Sequence, residues 1–196
     1  MLYTVVCWIF RQYFRFVCRW EIKGRENLPQ SGPFIICANH ISWLDPPLVG
    51  SVAWPQKINF MAKDELFHIP VFGYLISKVK AFPVKRDSAD RRAIKYAIDV
   101  IKNGEILGLF PEGTRSRTKE LLPPQPGVGL IAHKSKALVL PVAIMGPYKP
   151  FVPIRVRIGK PLNFSEYYEE KARAELLERI AVGIMSEIDS LRGAPQ

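Results

Sequence analysis

The sequence has few cysteines and histidines, and their spacing is wrong for a disulfide framework or a zinc site. Three cysteines among 196 residues are too few and odd in number, and the three histidines lie far apart. No H-E-x-x-H or C-x-x-C string is present. We therefore expect a reducing compartment and no metal ion or other cofactor.

The N-terminus lacks an apolar run long enough to cross a bilayer. Residues 1–10 are apolar but the run ends at Arg11, whereas a spanning helix needs about 20 such residues. On a helix, Arg11, Arg15 and Arg19 lie on one side. The opposite side is apolar and comprises Leu2, Tyr3, Val5, Val6, Ile9, Phe10, Tyr13, Phe14, Phe16, Val17 and Trp20.

This pattern is typical of a helix lying in the headgroup plane of a membrane. The alternative is a helix that packs on the domain core with its arginines in solvent. We divide the chain into an amphipathic membrane-interface helix, residues 1–22, and one domain, residues 23–196. The protein is then expected to be peripheral or monotopic on the cytoplasmic face of the cell membrane.

Acidic side chains are scarce over most of the chain. The net charge is +10, yet residues 161–196 hold seven acidic and four basic side chains and so carry −3. The first 160 residues therefore carry +13. Such a surface indicates a polyanionic partner, namely nucleic acid, an anionic lipid surface or a phosphorylated substrate. With 48% hydrophobic residues the chain is globular rather than disordered.

Beyond Gly24, short apolar runs alternate with amphipathic stretches, which predicts an α/β fold with a mixed, largely parallel sheet flanked by helices. Predicted helices cover residues 88–103, with Ser88 as cap, residues 171–191, and a segment opening at Asp45. The Pro-rich segment 123–127 is interpreted as a stiff loop. The predicted strands are residues 34–38, 58–61, 81–84, 105–110, 137–142 and 154–158.

The string Asn39-His40-Ile41-Ser42-Trp43-Leu44-Asp45 leaves the end of a predicted strand. A histidine there faces the crevice in which open α/β sheets bind ligands. If the loop turns, Asp45 can accept from the ring N–H and leave the other nitrogen free as a general base. The simpler interpretation is that Asp45, which precedes two prolines, only caps the following helix.

A second string, Phe110-Pro111-Glu112-Gly113-Thr114-Arg115-Ser116, leaves another predicted strand. Gly113 allows the backbone to turn, and Arg115 offers a planar fork suited to phosphate. The alternative is a turn with a local ion pair between Glu112 and Arg115, worth about 0–1 kcal/mol if exposed.

Together the two strings resemble the motifs of the glycerolipid acyltransferase family. The resemblance extends to residues 81–86, an apolar stretch ending in Arg86, and to residues 139–142, so that it covers about residues 20–160. It implies that His40 is the base and Asp45 its orienting carboxylate. It also implies an acceptor site whose contributors are Arg86, Glu112, Gly113, Thr114 and Arg115.

The family implies transfer of an acyl group from a thioester of acyl carrier protein or coenzyme A to the hydroxyl of a lysophospholipid. For 1-acyl-glycerol-3-phosphate the product is phosphatidic acid, a step of phospholipid biosynthesis. Direct attack needs a base, an oxyanion stabiliser and a hold on the acceptor, but no covalent nucleophile. Lys63 and Lys85 are further candidates for phosphate contacts, and the alternative for each is a solvated lysine.

Three alternatives stay open. The acceptor could be another lysophospholipid or glycerol-3-phosphate. A hydrolase would use His40 to activate water. A basic protein could bind nucleic acid, but the basic residues are dispersed and form no nucleic-acid motif, so we expect no nucleic-acid partner.

Overall fold

The protein folds around one mostly parallel sheet, as the alternating pattern predicts. The computed structural model describes residues 2–85, 90–118 and 120–194. Within these ranges the sheet has seven strands in the order β1-β7-β6-β2-β5-β3-β4, and only the β6–β7 pair is antiparallel. The strands are β1 (Glu21–Lys23), β2 (Phe34–Ala38), β3 (Ile58–Lys63), β4 (Ala81–Val84), β5 (Ile106–Leu109), β6 (Leu138–Met145) and β7 (Arg155–Ile158).

Helices cover both faces of the sheet, which explains why its central strands are apolar on both sides. One core layer lies under α4, α5 and α6, and the other lies under α2 and the N-terminal helix. The helices are α1 (Leu2–Gln12), α2 (Asp45–Val52), α3 (Phe72–Lys78), α4 (Arg91–Lys102), α5 (Pro126–Ser135) and α6 (Ala174–Gly193). Short 3₁₀ turns cover Arg25–Asn27, Asp64–His68 and Ser165–Tyr167.

The N-terminal helix packs on the domain with one side and exposes apolar residues on another. It continues from α1 into a π-helical segment, Tyr13–Val17, in which Phe14 is fully buried. The Tyr3 hydroxyl accepts a hydrogen bond from the Ile58 backbone N–H (2.9 Å). The exposed side includes Val5, Ile9 and Phe16.

Phe14 therefore belongs to the core, whereas the sequence pattern groups it with the apolar residues expected to face the membrane. At about 100° per residue Phe14 lies about 20° from Cys7, the buried residue of α1, whereas Val5, Ile9 and Phe16 lie on another part of the wide apolar side. Arg19 has a positive φ of 43° and lies beyond the helix, just before β1. Among the described residues, no helix combines the length and apolarity needed to cross a bilayer.

Several local predictions were wrong. β1, α3 and α5 were not predicted from the sequence, and α5 begins at Pro126, inside the segment interpreted as a loop. The cap of α4 is Asp90, whose carboxylate accepts from the N–H groups of Arg92 and Ala93 (both 3.0 Å). Ser88, the predicted cap, lies outside the described residues. Asp45 does not cap α2, because its side chain accepts from residues before the helix.

Candidate active site

The candidate site lies where parallel strands of the sheet end. Strands β2, β5 and β3 are neighbours and parallel, so their carboxyl ends meet at one edge. His40 follows β2, Glu112 follows β5 and Lys63 is the last residue of β3. Open α/β sheets bind ligands at this edge.

His40 and Asp45 form a buried hydrogen-bonded pair. The distance from His40 Nδ1 to Asp45 Oδ2 is 2.7 Å, and His40 and Asp45 are 8% and 0% exposed. Asp45 Oδ2 also accepts from the backbone N–H groups of Ile41 (2.6 Å) and Ser42 (2.7 Å). Oδ2 accepts from two backbone N–H groups, so we assign it as the acceptor of the third bond as well, from His40 Nδ1–H. Neutral His40 then carries its proton on Nδ1, and Nε2 is the nitrogen without a proton. The ring therefore has the tautomer that a general base needs.

Residues 110–116, the second string, hold the backbone of His40 through hydrogen bonds to its N–H and its carbonyl. Glu112 Oε1 accepts from the His40 N–H (2.7 Å), and the Ser116 N–H donates to the His40 carbonyl (2.8 Å). The Phe110 ring stacks on the imidazole, with ring centroids 4.1 Å apart and planes 21° apart. These contacts fix the position of the His40 ring, and the orientation of its plane, at the sheet edge.

Glu112 has a position that favours a structural role over the acceptor contact implied by the resemblance. It is 2% exposed, and its other oxygen, Oε2, accepts from the Leu122 N–H (3.0 Å). Burial raises the pKa of this carboxyl, and the hydrogen bonds from His40 and Leu122 oppose that shift. The side chain thus joins the His40 loop to the segment before α5, and its described hydrogen bonds include none to Arg115.

Glu112→Gln is expected to lower stability. Both oxygens accept from backbone N–H groups, so the amide must turn its NH₂ toward one of them and leave that donor unsatisfied. The free energy of unfolding should fall by about 1–3 kcal/mol. Denaturant unfolding of both Glu112→Gln and the matched control Glu120→Gln, an exposed residue of the same loop, measures this. Equal stability of the two variants would mean that Glu112 does not hold the loop.

Gly113 turns the chain after β5, as the sequence predicts. Its φ is +68°, its N–H donates to the Phe110 carbonyl (2.9 Å), and an added Cβ would meet Gln125 Cγ at 2.8 Å. Thr114 follows at the surface and is exposed. The Arg115 guanidinium carbon lies 3.8 Å from the ring centroid of Trp43, which is 59% exposed. This cation–π contact holds Arg115 beside the His40 loop.

Of the other predicted phosphate contacts, Lys63 and Lys85 are described, and no described contact joins either of them to His40. Lys63 is at the correct edge, but its ammonium pairs with Glu65 (2.8 Å) and both side chains are well exposed. Arg86 lies outside the described residues. Lys85 borders a cleft with Asp90, Arg91 and Tyr96.

Sequence reasoning missed several residues that shape the site. Trp43 lies inside the first string but was given no role. Asn39 pairs with the backbone of Ile144 through both side-chain atoms, accepting at 2.7 Å and donating at 3.0 Å, and so joins the ends of β2 and β6. Tyr148, just beyond β6, donates its hydroxyl to Asp45 Oδ1 (2.5 Å).

The remaining histidines lie away from the pair. His68 is exposed and lies 3.4 Å from Asp64. His133 is buried, with Nε2 2.9 Å from the Tyr167 carbonyl. Across residues 2–85, 90–118 and 120–194, no group of three or more His, Cys, Asp or Glu side chains is placed to hold a metal ion.

Comparison with known proteins defines the class to which this fold and site belong. The model of the Acyltransferase family matches residues 19–145, so the chain belongs to that family. The 1-acyl-sn-glycerol-3-phosphate acyltransferase of Bacillus subtilis is 36% identical over 153 residues, 75% of each chain. The Streptococcus pneumoniae protein of the same name is 31% identical over 185 residues, 88% of this chain and 68% of its own.

A solved structure has the same fold over nearly the whole chain. The crystal structure of the 1-acyl-sn-glycerophosphate (LPA) acyltransferase PlsC from Thermotoga maritima matches with a TM-score of 0.73 and 27% identity. The match covers 99% of this chain and 81% of that one. The resemblance in the two strings is therefore confirmed at the level of family and fold, and the chain is an acyltransferase.

Proposed function

We propose that the protein transfers a fatty acyl group from a thioester to the free hydroxyl of 1-acyl-glycerol-3-phosphate, giving phosphatidic acid in phospholipid biosynthesis. The observation that carries this proposal is the buried His40–Asp45 pair, held at the sheet edge by Glu112 and Ser116 with Arg115 beside it. The names of the similar proteins supply the acceptor.

In the proposed reaction His40 Nε2 takes the proton of the acceptor hydroxyl as the oxygen attacks the thioester carbonyl. The new ester C–O bond forms, the C–S bond breaks, and the proton passes from Nε2 to the leaving thiolate. Asp45 holds the ring and stabilises the imidazolium that forms between these steps. The reaction needs no enzyme nucleophile, and burial raises the pKa of the Cys37 thiol, the cysteine closest to His40 in sequence.

Arg115 is the proposed contact to the acceptor phosphate. Its planar guanidinium suits two phosphate oxygens, and the Trp43 ring already holds it in place. Gly113 and Thr114 shape the loop that carries it. Lys63, the last residue of β3, and Arg86 stay proposed contributors.

The acyl donor is proposed to be acyl carrier protein or coenzyme A. The first 160 residues are strongly basic, and both donors are anionic. The deciding assay supplies purified protein with lysophosphatidic acid and each thioester in turn, and detects the diacyl product. We expect diacyl product with at least one of the two donors. We expect less product when lysophosphatidic acid is replaced by a lysophospholipid whose phosphate carries a further group. Equal rates on all acceptors would reject the phosphate-specific site.

We also propose that the N-terminal helix holds the protein on an anionic membrane, on its cytoplasmic face, as a peripheral or monotopic protein. The helix exposes Val5, Ile9 and Phe16, which are 47%, 54% and 64% exposed, while its other side packs on the domain. Arg11 and Arg15 supply positive charge on the same segment. The acceptor and product are membrane lipids, so this contact brings the site to its substrate.

Replacing Val5, Ile9 and Phe16 together by Asp is expected to release the protein from anionic vesicles. Each exposed apolar side chain that leaves the lipid boundary loses up to about 1.5–3 kcal/mol of burial. Vesicle flotation measures attachment, and activity should fall more on a long-chain acceptor in bilayers than on a short-chain, water-soluble one.

The control is Val182→Asp, an equally exposed apolar residue on α6 at the opposite face of the sheet. Deletion of residues 1–20 is a poorer test, because it also removes Phe14 and Cys18 from the core. If the triple variant still floats and keeps its rate on long-chain acceptor, the helix is not the membrane contact.

A further inference from the structure

Asp45 is held by a fourth donor that lies far away in the sequence. The Tyr148 hydroxyl lies 2.5 Å from Asp45 Oδ1, whereas His40, Ile41 and Ser42 all donate to Oδ2. The two sides of the carboxylate are therefore satisfied separately. Among the described hydrogen bonds, the one from Tyr148 is the only bond to Oδ1.

Tyr148 keeps its proton and so remains a donor. Burial, followed by the nearby charge of Asp45, raises the pKa of the phenol far above its ordinary value. A carboxylate oxygen only accepts, so the phenol hydroxyl is the donor and Asp45 Oδ1 is the acceptor. From the Oδ1 side, the contact thus adds to the restraint that the three donors to Oδ2 place on the rotation of the carboxylate.

The surroundings of Tyr148 hold its ring in place. Asn39 joins the end of β6, at Ile144, to the end of β2, which carries His40. The Phe14 ring, fully buried in the π-helical segment, lies 6.3 Å from the Tyr148 ring at an interplanar angle of 60°. The N-terminal helix thereby supports the tyrosine that contacts Asp45.

We propose that Tyr148 is a positioning residue of the acyl transfer, which orients Asp45 and through it the His40 ring, and that Phe14 of the N-terminal helix supports it. This inference rests on the proposed roles of His40 and Asp45. Tyr148 itself does not touch the reacting atoms in this scheme. Loss of the Tyr148 hydroxyl leaves Oδ1 without its described donor, which loosens the hold on the carboxylate and, through it, on the imidazole.

The first test compares Tyr148→Phe with Tyr3→Phe in the full chain. We expect Tyr148→Phe to lower kcat about 10- to 100-fold, since misplacing a catalytic group by about 1 Å costs on that order. KM for acceptor and donor should stay within about twofold, because ground-state binding is not changed. Tyr3→Phe also deletes a hydrogen-bonded hydroxyl, the one that accepts from Ile58 N, and is expected to change stability but not kcat.

The second test combines Tyr148→Phe with Asp45→Asn. If Tyr148 acts through the charge of Asp45, adding Tyr148→Phe to Asp45→Asn lowers kcat by no more than about twofold. The proposal would be overturned if Tyr148→Phe lowers kcat by the same factor in the wild-type protein and in the Asp45→Asn variant. An unchanged kcat with a lowered melting temperature in Tyr148→Phe alone would also overturn it. If His40→Ala and Asp45→Asn both keep full activity, the proposed catalytic pair has failed, which is a different result from failure of Tyr148 alone.

Discussion

His40→Ala is expected to lower kcat by about 10²- to 10⁴-fold, the usual contribution of a general base. The reason lies in the geometry around the ring. Nδ1 is bonded to a fully buried carboxylate, so Nε2 is the nitrogen that can accept a proton from the substrate. Steady-state kinetics with lysophosphatidic acid and a thioester donor measures the loss.

Two further variants separate chemistry from packing. The ring stacks on Phe110, so alanine also removes packing, whereas His40→Gln fills more of the volume and still lacks the base. We expect His40→Ala and His40→Gln to lose activity by a similar factor. His68→Ala, which changes an exposed histidine of the same domain, should keep full activity. Full activity in His40→Gln would refute the role of His40.

Arg115→Ala is expected to raise KM for the acceptor much more than KM for the donor. Loss of a charge-assisted contact of about 1.5–3 kcal/mol corresponds to a change of roughly 10- to 150-fold. Arg115→Lys should recover only part of this, because an ammonium cannot form the two-pronged contact and stacks less well on Trp43.

The control for Arg115 is Arg179→Ala, an exposed arginine of α6, the helix on the opposite face of the sheet from α2. It removes the same charge at a distance from His40 and should leave both KM values unchanged. If Arg115→Ala changes both substrates equally, the residue supports the loop and does not bind the acceptor phosphate.

The parts of the fold predicted correctly are those with strong local signals. β2 and β4 have the predicted bounds, because each is a short apolar run between turn residues. β1 was missed because it is only three residues long and carries two exposed charged residues. α5 was missed because Pro123–Gly127 resembles a loop, although a proline in the first turn is favourable for a helix.

The site divides in the same way. His40, Asp45 and the Gly113 turn could be predicted, since each follows a strand closely and belongs to a recognisable string. The role of Glu112 could not, because its partners His40 and Leu122 are set by the meeting of two strand ends. Tyr148 is 103 residues from Asp45, and no local pattern joins them. Phe14 was placed wrongly because the apolar side of the helix is wide, and the pattern alone does not separate its core-facing part from its exposed part.

The most direct test of the central claim is the fate of the acyl group in a single assay with purified wild-type protein and His40→Gln. Acyl thioester is supplied with and without lysophosphatidic acid, and released thiol, phosphatidic acid and free fatty acid are measured together. The account predicts thiol release that depends on the acceptor, one phosphatidic acid for each thiol, and loss of both in the variant. Thiol release without acceptor, with free fatty acid as the product, would show a hydrolase and contradict the account.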